Sequence, residues 1–217
     1  AHIFCTPDQV KEEIGKVIDL VLYIFKTLDF NDYLAQVSLR DQVNRENYIG
    51  SEENWEKAEQ AIQEVANEKG LRTVVEYGEA AFYGPKLDFM VRDAIGRKWQ
   101  CGTVQVDMNL PSRFNVEFIN DKGEKEQPVM IHRAILGSCE RFIGILTEHC
   151  AGEFPFIIAP TQVIFVPIAE PHVEYAKELQ RELLENDLDS EIFSMNESLN
   201  KRIRMAEKQR VPMIVVI

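Results

Sequence analysis

The sequence predicts an α+β domain built on an antiparallel sheet, followed by a smaller α/β domain. Residues 6–70 carry apolar side chains mainly at helical spacing. Over residues 72–136 the apolar period becomes two, and Gly-, Pro- and Asn-containing turns separate the runs. After residue 160, strand and helix patterns alternate, which is typical of parallel strands joined by helical crossovers.

The first region predicts two helices with a short strand between them. Thr6 has the character of a helix N-cap, and the helical spacing that follows it continues to Leu28. A strand is predicted over residues 34–39. Ser51 caps a second helix, which is expected to end near Gly70.

The second region predicts five strands and a helix. Tight turns such as the one over residues 93–96 join consecutive strands, and such connections imply antiparallel pairing. Ser138 caps the helix, predicted over residues 139–151. The strands are predicted over residues 74–77, 87–91, 99–108, 116–119 and 129–136.

A segment containing Gly and Pro over residues 152–160 reads as a linker, so the domains are expected at 1–152 and 161–217. The chain starts in an apolar segment and stops inside a predicted strand, and we therefore expect it to be truncated at both ends. The elements predicted after the linker are a strand over 163–167, a helix over 173–186, a strand over 190–193, a helix over 199–210 and a strand over 213–217.

Composition excludes several classes of protein. No apolar run approaches the ~18 residues needed to cross a bilayer, and the N-terminus lacks the pattern of a signal peptide. Four cysteines without a C-x-x-C pair indicate reduced thiols, hence a cytoplasmic protein. A net charge of −12 argues against binding of nucleic acid through the overall charge of the protein. The basic segment 201–210 remains a local hint of RNA binding, or a solvated helix face.

The most informative segment is the strand–turn–helix over residues 129–148. Gly137 and Ser138 end an apolar strand, and Arg141 falls in the first turn of the helix that follows. Helix N-termini favour anions, and a guanidinium adds a forked donor suited to phosphate. The alternative is a surface arginine paired with a carboxylate such as Glu140.

The strand over residues 99–108 has one polar face, formed by Thr103, Gln105 and Asp107. Gln100 is out of phase with that face, but a bulge at Gly102 would restore it. Such a stripe predicts contact with a ligand such as a nucleotide. The pattern alone also fits a solvated sheet face.

Two further features are weaker. The Gly-Pro turn at residues 82–86 would place Tyr83 and Lys86 at the mouth of a pocket, although most such turns are only turns. His2 and His132 both lie in apolar, strand-like surroundings. Two distant histidines are weak evidence for zinc, which takes three or four protein ligands.

Taken together, these segments resemble the threonyl-tRNA synthetases, a family of class II aminoacyl-tRNA synthetases. The resemblance implies a class II catalytic domain, incomplete here, followed by an anticodon-binding domain. It implies an ATP-dependent ligase that forms threonyl-adenylate and transfers threonine to tRNA(Thr). The matching stretches are residues 1–5, 49–51, 82–86, 100–107 and 130–148.

The resemblance also implies roles for the residues around the catalytic site. His2 and His132 match two zinc ligands, the third being a cysteine outside this chain. That zinc would take the amino group and hydroxyl of threonine and so reject valine. Catalysis would rest on positioning and electrostatics. Arg141 matches the arginine that packs on ATP, which binds with Mg²⁺. The residues that match those around the adenylate are Gln100, Thr103 and Gln105. Tyr83 and Lys86 match residues near threonine and its activated carboxylate.

In the last domain, Asn196, Lys201 and Arg204 match the RNA-facing region of the family. Met195 and Asn200 stand where an arginine and a glycine are common, so the anticodon contacts are expected to differ in detail. The family's dimer-forming motif 1, its motif 2 arginine and its zinc-ligand cysteine have no counterpart in the chain. We expect a homodimeric parent enzyme and an inactive isolated chain.

Two other interpretations remain at this stage. One is a non-catalytic, synthetase-like module that binds RNA or protein. The other is a related class II synthetase of the prolyl or glycyl type. The set Gln100, Thr103, Gln105, His132 and Arg141 argues against the first, and the pairing of His2 with His132 argues against the second.

Overall fold

The structure is a computed structural model that describes all 217 residues. The chain divides into two compact units, Ala1–Phe142 and Ile143–Ile217. The predicted domain limits, 1–152 and 161–217, stay a prediction. No helix combines the length and the apolar character that crossing a membrane requires.

The first unit contains eight strands and three helices, and a fourth helix begins in it. The strands are β1 His2–Cys5, β2 Tyr33–Leu39, β3 Thr73–Tyr77, β4 Lys86–Arg92, β5 Lys98–Asp107, β6 Phe118–Ile119, β7 Lys125–Glu126 and β8 Val129–Ala134. The helices are α1 Val10–Thr27, α2 Glu52–Glu68, α3 Leu110–Arg113 and α4 Cys139–His149.

Six of these strands form one sheet in the order β1-β8-β5-β4-β2-β3. The predicted antiparallel arrangement holds for every neighbouring pair except β2 and β3, which are parallel. This pair differs because α2 lies between the two strands and carries the chain back to the end where β2 began. The predicted strand over 116–119 shrinks to β6, which pairs only with β7 in a separate hairpin.

Helix α1 covers one face of the sheet. Its apolar side chains recur at helical spacing, and Ile14, Ile18 and Val21 are fully buried. Phe25 packs edge-on against Phe89 of β4, with 5.9 Å between the ring centroids. Each such burial stabilises the fold by about 1.5–3 kcal/mol. Side chains alternate along a strand, so the polar neighbours of these sheet residues face the side that α1 does not cover.

The second unit is a small α/β domain, as predicted. Its central strand pairs in parallel with both neighbours, because a helix crosses over between each pair of strands. Val163 and Phe165 join one core cluster, whereas Ile164 and Val166 join another on the opposite face. The elements are β9 Val163–Val166, α5 Val173–Glu185, β10 Ser190–Ile192, α6 Leu199–Lys208 and β11 Met213–Val216.

Candidate functional site

A cavity of about 440 Å³ opens on the face of the first unit's sheet that α1 leaves uncovered. Strands β1, β5 and β8 and the loop before α4 form its walls. Six residues that the sequence singles out line it: His2, Gln100, Thr103, Gln105, His132 and Arg141. Residues separated by up to 139 positions therefore meet in one place.

A β-bulge in β5 brings Gln100 onto this face. Asp88 of β4 pairs with Thr103 and Met90 pairs with Gln100, so two residues of β5 lie opposite one of β4. The extra residue reverses the alternation, as predicted from Gly102. Gln100 Nε2 then reaches Thr103 Oγ1 at 2.8 Å.

Asp88 forms the floor beneath these residues, and the sequence reasoning missed it. Its side chain is buried, with 1% of its surface exposed. Its carboxylate accepts hydrogen bonds from Gln100 Nε2 at 2.7 Å and Thr103 Oγ1 at 2.5 Å. It also pairs with Lys86 Nζ at 2.7 Å. The signal was present, because Lys86 and Asp88 are two residues apart in a strand and so share a face.

The turn before β4 places Tyr83 beside the cavity. The Tyr83 hydroxyl donates to Gln105 Oε1 at 2.6 Å, and its ring lies 5.1 Å from that of His132. Burial, and then the charge of Asp107, raise the pKa of Tyr83, so the phenol stays protonated and can donate at neutral pH. The predicted Gly-Pro turn therefore does more than reverse the chain.

The motif at residues 49–51 supports this turn from outside the cavity. The Ile49 amide donates to the Phe82 carbonyl at 2.9 Å. Asn109 Nδ2 donates to the Tyr83 carbonyl at 2.8 Å. Gly50 has a φ of +99°, and a Cβ there would lie 1.7 Å from Asn109 Oδ1. The motif therefore supports the site by holding the turn at Tyr83 in place.

The two histidines lie directly opposite each other on neighbouring strands. His2 of β1 pairs with His132 of β8, and the ring centroids are 4.8 Å apart. His132 Nε2 lies 2.9 Å from a carboxylate oxygen of Asp107, which is fully buried. A carboxylate only accepts, so Nε2 carries the hydrogen and Nδ1 remains for a second partner. Sequence reasoning placed Asp107 on the polar face but gave it no role.

The chain by itself does not complete a metal centre. No group of three His, Cys, Asp or Glu side chains in the structure is arranged to hold a metal ion. The histidine pair fits two of the three protein ligands of a catalytic zinc site, and the Asp107–His132 contact fits the outer-shell carboxylate that such histidines usually have. A third ligand would have to come from elsewhere.

Arg141 reaches the cavity from the first turn of α4. Its guanidinium donates to the Gln100 carbonyl at 3.3 Å and lies 5.9 Å from the centre of the Trp99 ring. The Cys101 thiol nearby is buried, and burial raises its pKa to about 11 against the opposing charge of Arg141. Cys101 is therefore a neutral thiol and not a nucleophile.

The remaining predicted residues belong to the second unit. Asn196, Lys201 and Arg204 are all exposed, and Lys201 pairs with Glu197 at 2.6 Å. Arg202, which the basic pattern included, faces inward and is 3% exposed. It donates to the Pro167 carbonyl at 2.7 Å, so it holds the fold and does not contribute to a basic surface.

Comparison with known proteins gives matches along almost the whole chain. Residues 1–150 match the family of tRNA synthetase class II core domains (G, H, P, S and T). Residues 162–217 match the family of anticodon-binding domains. The first match ends 8 residues beyond the first compact unit, at 150 against 142, and the second begins 19 residues after the start of the second unit, at 162 against 143.

Individual relatives agree with the family matches. A threonine–tRNA ligase of Porphyromonas gingivalis is 55% identical over all 217 residues, and one of Campylobacter jejuni is 57% identical. The chain spans about a third of the length of these relatives, 33% and 35%. The solved RNA-binding domain of a Cryptosporidium parvum threonyl-tRNA synthetase superposes with a TM-score of 0.91 at 39% identity, over 100% of this chain and 53% of that one.

Proposed function

This chain belongs to the class II tRNA synthetase family, and from that premise we propose that it forms part of a threonine–tRNA ligase. The first step would join threonine to ATP, releasing pyrophosphate and leaving threonyl-adenylate. The second would pass the threonyl group to a terminal ribose hydroxyl of tRNA(Thr), releasing AMP. The observation that carries the proposal is the cavity in which six of the predicted ligand-binding residues meet.

ATP would occupy the part of the cavity between Arg141 and the bulged strand. The guanidinium offers cationic donors, and the start of α4 adds a partial positive charge, so both favour the nucleotide with its phosphates. Gln100 and Thr103 lie across from this group on β5. Mg²⁺ would accompany ATP, where it neutralises phosphate charge. Arg141 and Lys86 would act on the reacting groups by positioning and electrostatic stabilisation.

Threonine would bind toward the histidine pair. Tyr83 and Gln105 form a fixed hydrogen-bonded unit beside His132. His2 and His132 would hold a zinc ion together with a cysteine from outside the chain. Such a zinc supplies a Lewis acid that takes the amino group and side-chain hydroxyl of threonine. Valine has nearly the same shape but lacks the hydroxyl, so the site would reject it while rejecting serine poorly.

The second unit would contact tRNA(Thr) through Asn196, Lys201 and Arg204. Lys201 and Arg204 are one helical turn apart on α6, so they share an exposed face with the preceding loop. A local basic face suffices despite the net charge of −12, because charges more than about 8–10 Å away are largely screened. We propose a homodimeric ligase in the cytoplasm, consistent with four unpaired cysteines.

The direct test uses a hybrid ligase, in which this chain replaces the matching 217 residues of the Porphyromonas gingivalis protein. We expect threonine-dependent ATP–pyrophosphate exchange, with weak exchange for serine and none for valine. The unaltered Porphyromonas protein is the positive control. Arg141→Ala in the hybrid should lower kcat by about 100-fold or more.

The alternative is a non-catalytic module that binds RNA or protein. A folded, zinc-loaded hybrid that exchanges pyrophosphate with no amino acid, beside an active positive control, would favour that alternative. Retained tRNA binding in such a hybrid would then identify the second unit as the functional part.

A further inference from the structure

Asp88 is a buried carboxylate on which two side chains of the cavity, Gln100 and Thr103, converge together with Lys86. One of its oxygens, Oδ2, accepts a hydrogen bond from Lys86 Nζ at 2.7 Å. The other, Oδ1, accepts from Gln100 Nε2 at 2.7 Å and from Thr103 Oγ1 at 2.5 Å. Asp88 itself is 1% exposed, so its effect on a ligand must pass through these neighbours.

The chemistry of a carboxylate determines where the hydrogens of this cluster lie. A carboxylate has acceptors only, so the Gln100 atom that faces Asp88 must be the amide nitrogen. For the same reason the Thr103 hydroxyl must donate its single hydrogen to Asp88. Thr103 Oγ1 lies 2.8 Å from the same nitrogen and 2.5 Å from Asp88 Oδ1, so a single Nε2 hydrogen is directed between these two oxygens. The Thr103 hydrogen and one Gln100 amide hydrogen are therefore used inside the cluster, and the second Gln100 amide hydrogen points out of it.

Two kinds of group remain for a ligand. Gln100 Oε1 and one lone pair of Thr103 Oγ1 are acceptors, whereas Gln100 Nε2 keeps one hydrogen and Lys86 keeps two of its three ammonium hydrogens. The bulge thus presents two acceptors and one donor to the cavity, and Lys86 presents donors at the start of β4.

We propose that Asp88 is a positioning residue that fixes this polarity. This inference rests on the proposed function. In an ATP site, the acceptor pair takes a donor of the ligand, such as a ribose hydroxyl, and Lys86 takes an anionic oxygen of the activated carboxylate or phosphate. A neutral side chain at position 88 would let the Gln100 amide rotate and would leave Lys86 without its anchor.

The first experiment compares Asp88→Asn with Glu59→Gln in the hybrid ligase. Glu59 also forms a half-buried ion pair, with Arg40 at 3.1 Å, but it does not line the cavity. Asp88→Asn loses charge-assisted bonds and places an amide group beside the Lys86 ammonium. We expect kcat/KM for ATP to fall about 100-fold, which corresponds to two such bonds, whereas Glu59→Gln lowers only the melting temperature.

The second experiment reverses the donor and acceptor. Asp88→Asn combined with Gln100→Glu puts the amide at position 88 and the carboxylate at position 100. We expect this pair to recover about tenfold over Asp88→Asn alone, because one donor–acceptor contact returns. If Asp88→Asn does not fold, Thr103→Val and Thr103→Ser replace it: the valine variant should lose ATP affinity, and the serine variant should keep it.

The outcomes separate the two proposals. A silent wild-type hybrid overturns the ligase function. Two outcomes in an active hybrid overturn the role of Asp88. In the first, Asp88→Asn has the same effect on kcat/KM for ATP as Glu59→Gln. In the second, the loss in the double variant is only the product of the two single losses. The same holds if Thr103→Val and Thr103→Ser bind ATP equally well.

Discussion

Asp93 influences the cavity although it touches no ligand-facing atom. Its carboxylate accepts from Trp99 Nε1 at 2.8 Å and from the Arg97 amide at 2.8 Å. The Trp99 ring in turn lies 5.9 Å from the guanidinium of Arg141. The turn between β4 and β5 therefore fixes the Trp99 ring beside Arg141, the proposed ATP-binding arginine.

The stability contributed by Asp93 should depend on pH in a defined direction. Burial acts to raise the pKa of Asp93, but hydrogen bonds from Trp99, Arg97 and Ile95 outweigh it and hold the pKa at about 2. A folded pKa below the ordinary value of 3.8 means that the stabilisation is complete above about pH 5 and is lost as pH falls toward 2. Asp93→Asn should therefore be clearly less stable than wild type at pH 7, with a smaller difference at pH 3 and little difference near pH 2.

Urea unfolding of the 217-residue chain at pH 7, 5, 4 and 3 measures this difference. Asp121→Asn, in an exposed turn, is the matched control and should show little difference at any pH. A difference between Asp93→Asn and wild type that stays constant down to pH 3 would contradict the assignment.

At the scale of elements, the turn into β4 depends on close approach of two backbones. A Cβ on Gly84 would lie 1.8 Å from the Val106 carbonyl oxygen. Gly84→Ala should force the turn away from β5, costing about 1–3 kcal/mol and displacing Tyr83 from Gln105. We expect a lower unfolding free energy together with weaker threonine-dependent exchange in the hybrid.

The same substitution elsewhere should act in the opposite direction. Gly144 lies inside α4, and a Cβ there meets no atom within 4 Å. Gly144→Ala should therefore stabilise the helix by about 0.5–1 kcal/mol, because glycine is costly in a helix interior. Equal destabilisation by Gly84→Ala and Gly144→Ala would show that the turn into β4 does not require glycine at position 84.

Helix α6 combines a structural arginine with exposed basic residues. Arg202→Met would leave the buried Pro167 carbonyl without its donor and should cost about 1–3 kcal/mol in urea unfolding. Arg204→Gln should leave stability within about 0.5 kcal/mol. It should instead weaken tRNA binding by the hybrid and reduce the salt slope of the affinity by about 0.7. If Arg202→Met altered the slope while Arg204→Gln did not, the two roles would be reversed.

Most elements could be predicted because their periodicities are local. The bulge in β5 was also predictable, since Gln100 was out of phase and Gly102 was available. The parallel β2–β3 pair was not, because strand order depends on where α2 packs and not on any turn in the sequence. The inward turn of Arg202 was missed for a similar reason: its carbonyl partner, Pro167, lies 35 positions away.

At the scale of the whole molecule, the site could be predicted only through its ligand-facing residues. His2 and His132 were singled out by their surroundings and by resemblance, but their pairing across β1 and β8 needed the fold. Of the two buried carboxylates, Asp88 was missed, and Asp107 was placed on the polar face but given no role, because both act through other side chains. A strand pattern does not distinguish a supporting carboxylate from a solvated one.

The distribution of zinc ligands over the proposed parent ligase leads to the last prediction. The chain holds two histidines of the proposed zinc site and no third His, Cys, Asp or Glu arranged with them. Loss of one protein ligand from a three-ligand site should weaken metal binding greatly, since two imidazoles alone compete poorly with water and buffer. We expect the isolated chain to lose zinc during gel filtration and to show no threonine-dependent exchange, whereas the hybrid ligase keeps about one zinc per chain.

His132→Ala in the hybrid should lower zinc content without abolishing tRNA binding. Measurable exchange by the isolated chain would mean that the cavity in its first unit is already sufficient for threonine activation.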